Sequence, residues 1–221
     1  MPATLNWASF PRWWVRDRLP GFTAGVSAGK NMAALKIYLA VALTADYRTR
    51  RAEVSWSELS ELSGLSRPML KRGIDSAQQS GILEVTSNGY RHSYCLTSAA
   101  DQLGFAKLPK NRLRLVLPKL PGRGYIALDA LKIYIALLTV RPRDRFVVPI
   151  THKHLINWTA IQPTRIRPAI DVLTNHRLIH VTKAEAVDVG HPHNEYNLLG
   201  FNSTTAAANP LHIAATEEIT P

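Results

Sequence analysis

The sequence predicts a mainly helical α+β chain in which one small domain occurs twice, and two observations lead to that reading. The first is a repeat: Ala34-Leu35-Lys36-Ile37-Tyr38-Leu39-Ala40 returns as Ala130-Leu131-Lys132-Ile133-Tyr134-Ile135-Ala136, 96 positions on. At that offset Val54 falls on Ile150, Leu59 on Leu155, Leu65 on Ile161, Leu70 on Ile166, Lys71 on Arg167, Ile74-Asp75 on Ile170-Asp171 and Leu83 on Ile179. Apolar positions meet apolar positions while the polar ones between them drift, as expected of one core kept under two separately tuned surfaces. The second observation is that each copy spells the same order of elements.

In the first copy, Met32, Leu35, Leu39 and Leu43 recur at helical spacing among alanines, so a helix runs from Asn31 to the polar turn at Asp46 to Arg51. Glu53 to Trp56 reads as a short strand. Ser57 is the expected cap of a short helix over Glu58 to Ser63, ended by Gly64, and Ser66 the cap of a helix to Ser80 with Pro68 in its first turn. Ile82 to Thr86 is a strand, Asn88-Gly89 a hairpin turn, and Tyr90 to Thr97 the return strand. The second copy predicts a helix at Leu128 to Val140, a strand at Phe146 to Ile150, helices at Thr151 to Thr159 and about Thr164 to His176, and strands at Leu178 to Thr182 and ending at Leu198. Its hairpin is six residues longer, because Tyr94-Cys95-Leu96 matches Tyr196-Asn197-Leu198 at an offset of 102. This order is that of the winged helix-turn-helix. The expected fold is therefore two tandem winged helix-turn-helix domains from an internal duplication.

We place the first domain, with a Trp-rich N-terminal extension, at 1–100, a basic linker or extension at 101–124, the second domain at 125–201 and a flexible tail at 202–221. Trp7, Trp13 and Trp14 in the extension should dock on a core. The pairs Phe10-Pro11-Arg12 with Leu108-Pro109-Lys110, and Arg18-Leu19-Pro20-Gly21 with Lys119-Leu120-Pro121-Gly122, extend the repeat at offsets of 98 and 101. Leu113, Leu115 and Leu117 alternate as in a strand.

A net charge of +11 over 221 residues points to a polyanionic partner, nucleic acid before membrane. The lone Cys95 forms no internal disulfide, and with neither a spanning segment nor a secretory signal in view a cytoplasmic protein is expected. In a winged helix the third helix enters the major groove and the wing touches the backbone or minor groove. With Leu70, Ile74 and Ala77 turned to the core, Ser66, Arg67, Lys71, Arg72 and Gln78 are the DNA-facing candidates, joined by Tyr90, Arg91 and His92 on the wing. With Ile166, Ile170 and Leu173 inward, the second copy offers Thr164, Arg165, Arg167 and Asn175, with Lys183 on its wing. Pro168 should lie close to the first turn of its helix, where a missing N–H is tolerated.

Six of the eight histidines fall in the second copy, as His152-x-His154, His176, His180 and His191-x-His193. A metal site needs three or four to converge, and polar loop and wing positions are the simpler reading. Paired histidines with a tyrosine nucleophile also mark rolling-circle nickases, but Lys153 and Pro192 stand where an apolar residue belongs. With no phosphate loop, nucleophile elbow or carboxylate cluster, neither an enzyme nor a cofactor is expected.

The repeated Ala-Leu-Lys-Ile-Tyr helix, the helix-turn-helix at Ser57 to Ser80 and Thr151 to His176, and the hairpin wings resemble plasmid and phage replication initiators built from two winged-helix modules in one chain. That resemblance implies binding to repeated double-stranded origin sites, monomer–dimer control and recruitment of host replication proteins. The alternatives are a transcriptional regulator on promoter DNA and a winged-helix scaffold for protein partners.

Overall fold

The computed structural model describes residues 6–88, 91–97, 104–142, 145–183 and 194–201. The chain is α+β and mainly helical, with three small sheets among the described residues. Its first half runs β1 (Trp7–Pro11), α1 (Trp13–Arg18), 3-10 turns at Leu19–Gly21 and Gly25–Ser27, α2 (Ala28–Thr44), β2 (Arg51–Val54), α3 (Trp56–Ser63), α4 (Arg67–Gln79), β3 (Leu83–Asn88) and β4 (Arg91–Leu96). The second runs β5 (Phe105–Pro109), α5 (Lys110–Val116), a 3-10 turn at Leu117–Lys119, α6 (Tyr125–Val140), β6 (Val147–Ile150), α7 (His152–Thr159), α8 (Pro163–Asn175), β7 (Ile179–Lys183) and β8 (Asn194–Leu198). Gly89 and Tyr90 of the expected first wing, His191, His193 and the expected flexible tail from 202 lie outside the described residues.

α2 buries every residue from Asn31 to Leu43, well beyond the single apolar face its spacing suggested. A helix apolar all round belongs inside, and its alanines let neighbours approach closely. α3 begins earlier than expected: its cap is Ser55, not Ser57. Ser55 Oγ accepts the Glu58 N–H at 3.2 Å while Glu58 Oε2 accepts the Ser55 N–H at 2.8 Å, a reciprocal capping box that ends β2 at Val54. In both halves the later hairpin strand is central, giving sheet orders β2-β4-β3 and β6-β8-β7. The registers Leu83↔Leu96 and Ile179↔Leu198 keep the longer second hairpin in step.

The segment before α6 is not a strand. Leu113, Val116, Leu117 and Leu120 are buried at i, i+3, i+4 and i+7 while Leu115 is 63% exposed, so the helical period prevails and α5 forms. Val116, which falls outside the alternation of the leucines, completes the helical period. The structural repeat of the extensions is also 98 throughout: Leu19–Gly21 corresponds to Leu117–Lys119, not to residues 120–122.

The halves are joined reciprocally. β1 pairs antiparallel with β5, from Trp7↔Pro109 to Pro11↔Phe105. α2 packs on α6. Lys36 Nζ donates to the Leu120 carbonyl at 3.0 Å, and its counterpart Lys132 donates to the Phe22 carbonyl, also at 3.0 Å. The 3-10 turn of each half lies against the short helix of the other, Leu117–Lys119 on α3 and Leu19–Gly21 on α7. Gly64, at φ 68, is required there because a Cβ would run into the Pro118 carbonyl. This is the pattern of an isologous interface, residue i on j and j on i, within one chain. One hydrophobic cluster spans both halves. No helix among the described residues is long and apolar enough to cross a membrane.

Burial lowers both lysines from 10.5 to about 8, Asp129 partly opposing the shift at Lys132. Between about pH 8 and 10.5 the unfolded chain holds a proton at each lysine that the folded chain has released. Stability therefore rises with pH there, by up to about 1.4 kcal/mol per pH unit for each group. Burial raises the hydroxyls of Tyr38 and Tyr134, so above about pH 10 the unfolded tyrosines ionise first and stability falls. Urea denaturation at about pH 7.5, 9.5 and 11.5 should give its highest midpoint at the middle value; a midpoint falling steadily from pH 7.5 would refute the assignment.

Candidate nucleic-acid interface

α4 lies against the N-terminal half of α2. Leu70, Gly73, Ile74 and Ala77 face inward, and Gly73 has no room for a Cβ against Ala33 and Ile37. Ser76 Oγ donates to Asn31 Oδ1 at 3.1 Å, tying the two helices together. Ser66 occupies the cap position, exposed and without a side-chain cap bond. Arg67, Lys71, Arg72 and Gln78 are exposed, as the helical period required. Asp75 and Gln79 share the exposed surface and were missed.

α8 repeats the arrangement with Ile166, Ala169, Ile170 and Leu173 inward and Thr164, Arg167 and Asn175 exposed. At the 96-residue offset Lys71 matches Arg167, Asp75 matches Asp171 and Gln79 matches Asn175, so each helix presents a cation, a carboxylate and an amide in the same order. Carrying the repeat onto the outward faces would have identified Asp75, Asp171 and Gln79.

Arg165 departs from expectation. It is turned inward onto α6, its Nη2 donating to Asp129 Oδ1 at 3.2 Å. Its Nε lies 2.8 Å from Oδ2 as an ion pair without hydrogen-bond alignment. Its guanidinium also sits 5.1 Å from the Tyr125 ring centre. Asp129 is 1% exposed, and burial raises its carboxyl against the opposing pull of Arg165. A carboxylate in that setting needs a cation, so Arg165 fastens α8 to α6 and is not free to reach bases. The first half has Ala33 and Met69 at the corresponding positions.

Pro168 also departs from expectation: α8 starts at Pro163, which makes Pro168 its sixth residue and removes a hydrogen bond from the interior. Thr164 and Pro168 are both exposed, so water can satisfy the Thr164 carbonyl left without its donor.

On the hairpins, His92 pairs with Val54 and Ser87 and is half-buried, its ring 5.8 Å from that of Trp56, so it packs rather than projects. Arg91 opens β4 opposite Asn88, and Lys183 ends β7, exposed, opposite Asn194. Tyr90 lies outside the described residues. Three of the described histidines have polar partners: His152 Nε2 is 3.0 Å from Asn194 Nδ2, His154 Nδ1 is 2.8 Å from Thr151 Oγ1, and the His176 ring spans the Val172 and Lys119 carbonyls at 2.8 and 3.2 Å. Among the described residues no group of three or more His, Cys, Asp or Glu side chains is placed to hold a metal.

The contacts order the helices α4-α2-α6-α8, with α4 and α8 outermost. Three helix packings of about 8–10 Å each set an upper bound on the order of 24–30 Å on the spacing of the α4 and α8 axes. No known family's sequence model matches this chain, and no curated protein is found similar to it.

Replacing Arg165 by Met strands Asp129 and should lower unfolding free energy by about 3 kcal/mol or more. The double change Asp129→Ala with Arg165→Met installs the first half's apolar pair and should restore most of that loss in urea denaturation. A double variant as unstable as the single one would show that the arginine matters for something other than the buried charge.

Proposed function

We propose that this chain is a non-enzymatic, sequence-specific double-stranded DNA-binding protein of two winged-helix modules derived from an internal duplication, serving as the replication initiator of a plasmid or phage-like element. The observation that carries this reading is the pair of exposed helices α4 and α8, each with a polar, cation-bearing outer surface, held at a fixed separation by one shared core. Arg, Lys, Gln and Asn are the side chains that pair with guanine and adenine edges in the major groove, and an aspartate can accept from cytosine. The charge of +11 favours the phosphate backbone and makes binding strongly salt-dependent.

Initiation is favoured over regulation by the asymmetry between the halves. α4 opens with Arg67-Pro68 and α8 with Pro163-Thr164, and Pro168 replaces Arg72. Two readers that differ in this way recognise a site with a direction, which suits arrays of direct repeats better than the palindromes read by symmetric dimers.

The chain carrying both Arg67→Ala and Lys71→Ala should lose specific binding by about 2 to 6 kcal/mol if both side chains contact bases, with its thermal unfolding unchanged. Arg167→Ala should relax the other half-site only. Footprinting of the surrounding DNA at about 150 mM salt tests the role: protected direct repeats spanning two grooves each support the initiator. A single promoter site would favour a regulator, and the absence of discrete protection would overturn DNA reading by these helices.

A further inference from the structure

The strand that opens each half places an aromatic ring outside the core. β1 and β5 turn Ala8, Phe10, Ala106 and Leu108 toward the protein, which leaves Trp7, Ser9, Phe105 and Lys107 on the other face of the two-stranded ribbon. Trp7 and Phe105 are counterparts 98 residues apart, and their rings stack within 7° of parallel at 6.0 Å where the two halves meet. Tyr47, from the turn after α2, sets its ring edge-on to both, 6.3 Å from Trp7 and 5.4 Å from Phe105. Tyr47 is 55% and Phe105 42% exposed.

The surroundings of these rings are basic. Lys107 Nζ lies 4.8 Å from the Trp7 ring centre, and Arg48 and Arg50 are exposed beside Tyr47. The acid of that turn, Asp46, is engaged locally: its Oδ1 accepts the Arg48 N–H, the Thr49 N–H and the Thr49 hydroxyl at 3.0, 2.8 and 3.0 Å. Exposed rings interleaved with cations are the arrangement on which unpaired bases stack while the backbone is followed electrostatically. A duplex offers no free base faces, so this patch suits an unpaired strand. It is also set apart from the reading helices. α4 meets α2 around Gly29 to Ile37, whereas Tyr47 follows the far end of α2, on the order of 20 Å along at 1.5 Å per residue.

We propose that Trp7, Tyr47 and Phe105 form a stacking platform for single-stranded nucleic acid, with Lys107, Arg48 and Arg50 following its phosphates. This site is independent of duplex reading by α4 and α8, and the two ideas fail separately. The test is fluorescence anisotropy of the full chain with labelled oligo-dT and oligo-U of roughly 20 nucleotides at about 50 mM salt. Tyr47→Ala and Phe105→Ala should each weaken binding about tenfold, and Lys107→Gln should reduce the salt slope by about 0.7. The Arg67→Ala, Lys71→Ala chain should bind the single strand as the unmodified chain does. Binding of dT, of U or of both supports the platform and tells DNA from RNA. Absence of binding by the unmodified chain, or unchanged binding by both ring variants with circular dichroism confirming their fold, overturns it and leaves the patch to a protein partner.

Discussion

A lysine ammonium taken out of water is tolerated only where an acceptor meets it, and here each half supplies the acceptor for the lysine of the other. Lys36 reaches the Leu120 carbonyl and Lys132 the Phe22 carbonyl, both from the middle of helices buried on every side. Those carbonyls follow the 3-10 turns of the extensions, so the two bonds fix where each extension lies as well as how α2 meets α6. An unsatisfied buried ammonium and an orphaned carbonyl would each cost about 1–3 kcal/mol or more, which penalises any sliding of one half against the other. The β1–β5 ladder repeats the same symmetry in backbone hydrogen bonds.

With the centre fixed in this way, the outer elements were free to diverge. Ala33 and Met69 in one half correspond to Asp129 and Arg165 in the other, so two apolar residues stand where the other half has a buried ion pair. Arg18 Nη1 donates to the Ser80 carbonyl at the end of α4, and Arg112 Nη2 donates to the corresponding His176 carbonyl at the end of α8. The two arginines come from different positions in their extensions, so the carbonyl's need for a donor was met twice by different routes. The outer faces of α4 and α8 therefore differ, while the contacts at the centre are reciprocal.

Much of this was legible in the chain itself. The repeat at 96, the helix order, the sheet hairpins and the inward residues of α4 and α8 follow from periodicity and turn chemistry, which act over a few residues. The errors came where two local rules competed or where the partner was distant. Ser55 and Ser57 can both cap a helix, and Glu58 decides between them by standing three residues after Ser55. The leucines of α5 alternate and also fall at helical spacing once Val116 is counted. Arg165 looked like any outward cation because Asp129, its partner, is 36 residues away.

The sequence by itself determined that a pattern recurs at 96 residues, which residues of α4 and α8 turn inward and which of their faces are polar, because these are properties of spacing along one chain. Only the tertiary structure decided that the copies share a core through reciprocal bonds, that Arg165 is withdrawn from the outer face, and that Trp7, Tyr47 and Phe105 gather on the surface where the halves meet. Each of those depends on contacts between residues far apart in the chain. No local rule encodes such contacts, because burial, charge pairing and ring stacking depend on which side chains the completed fold brings together.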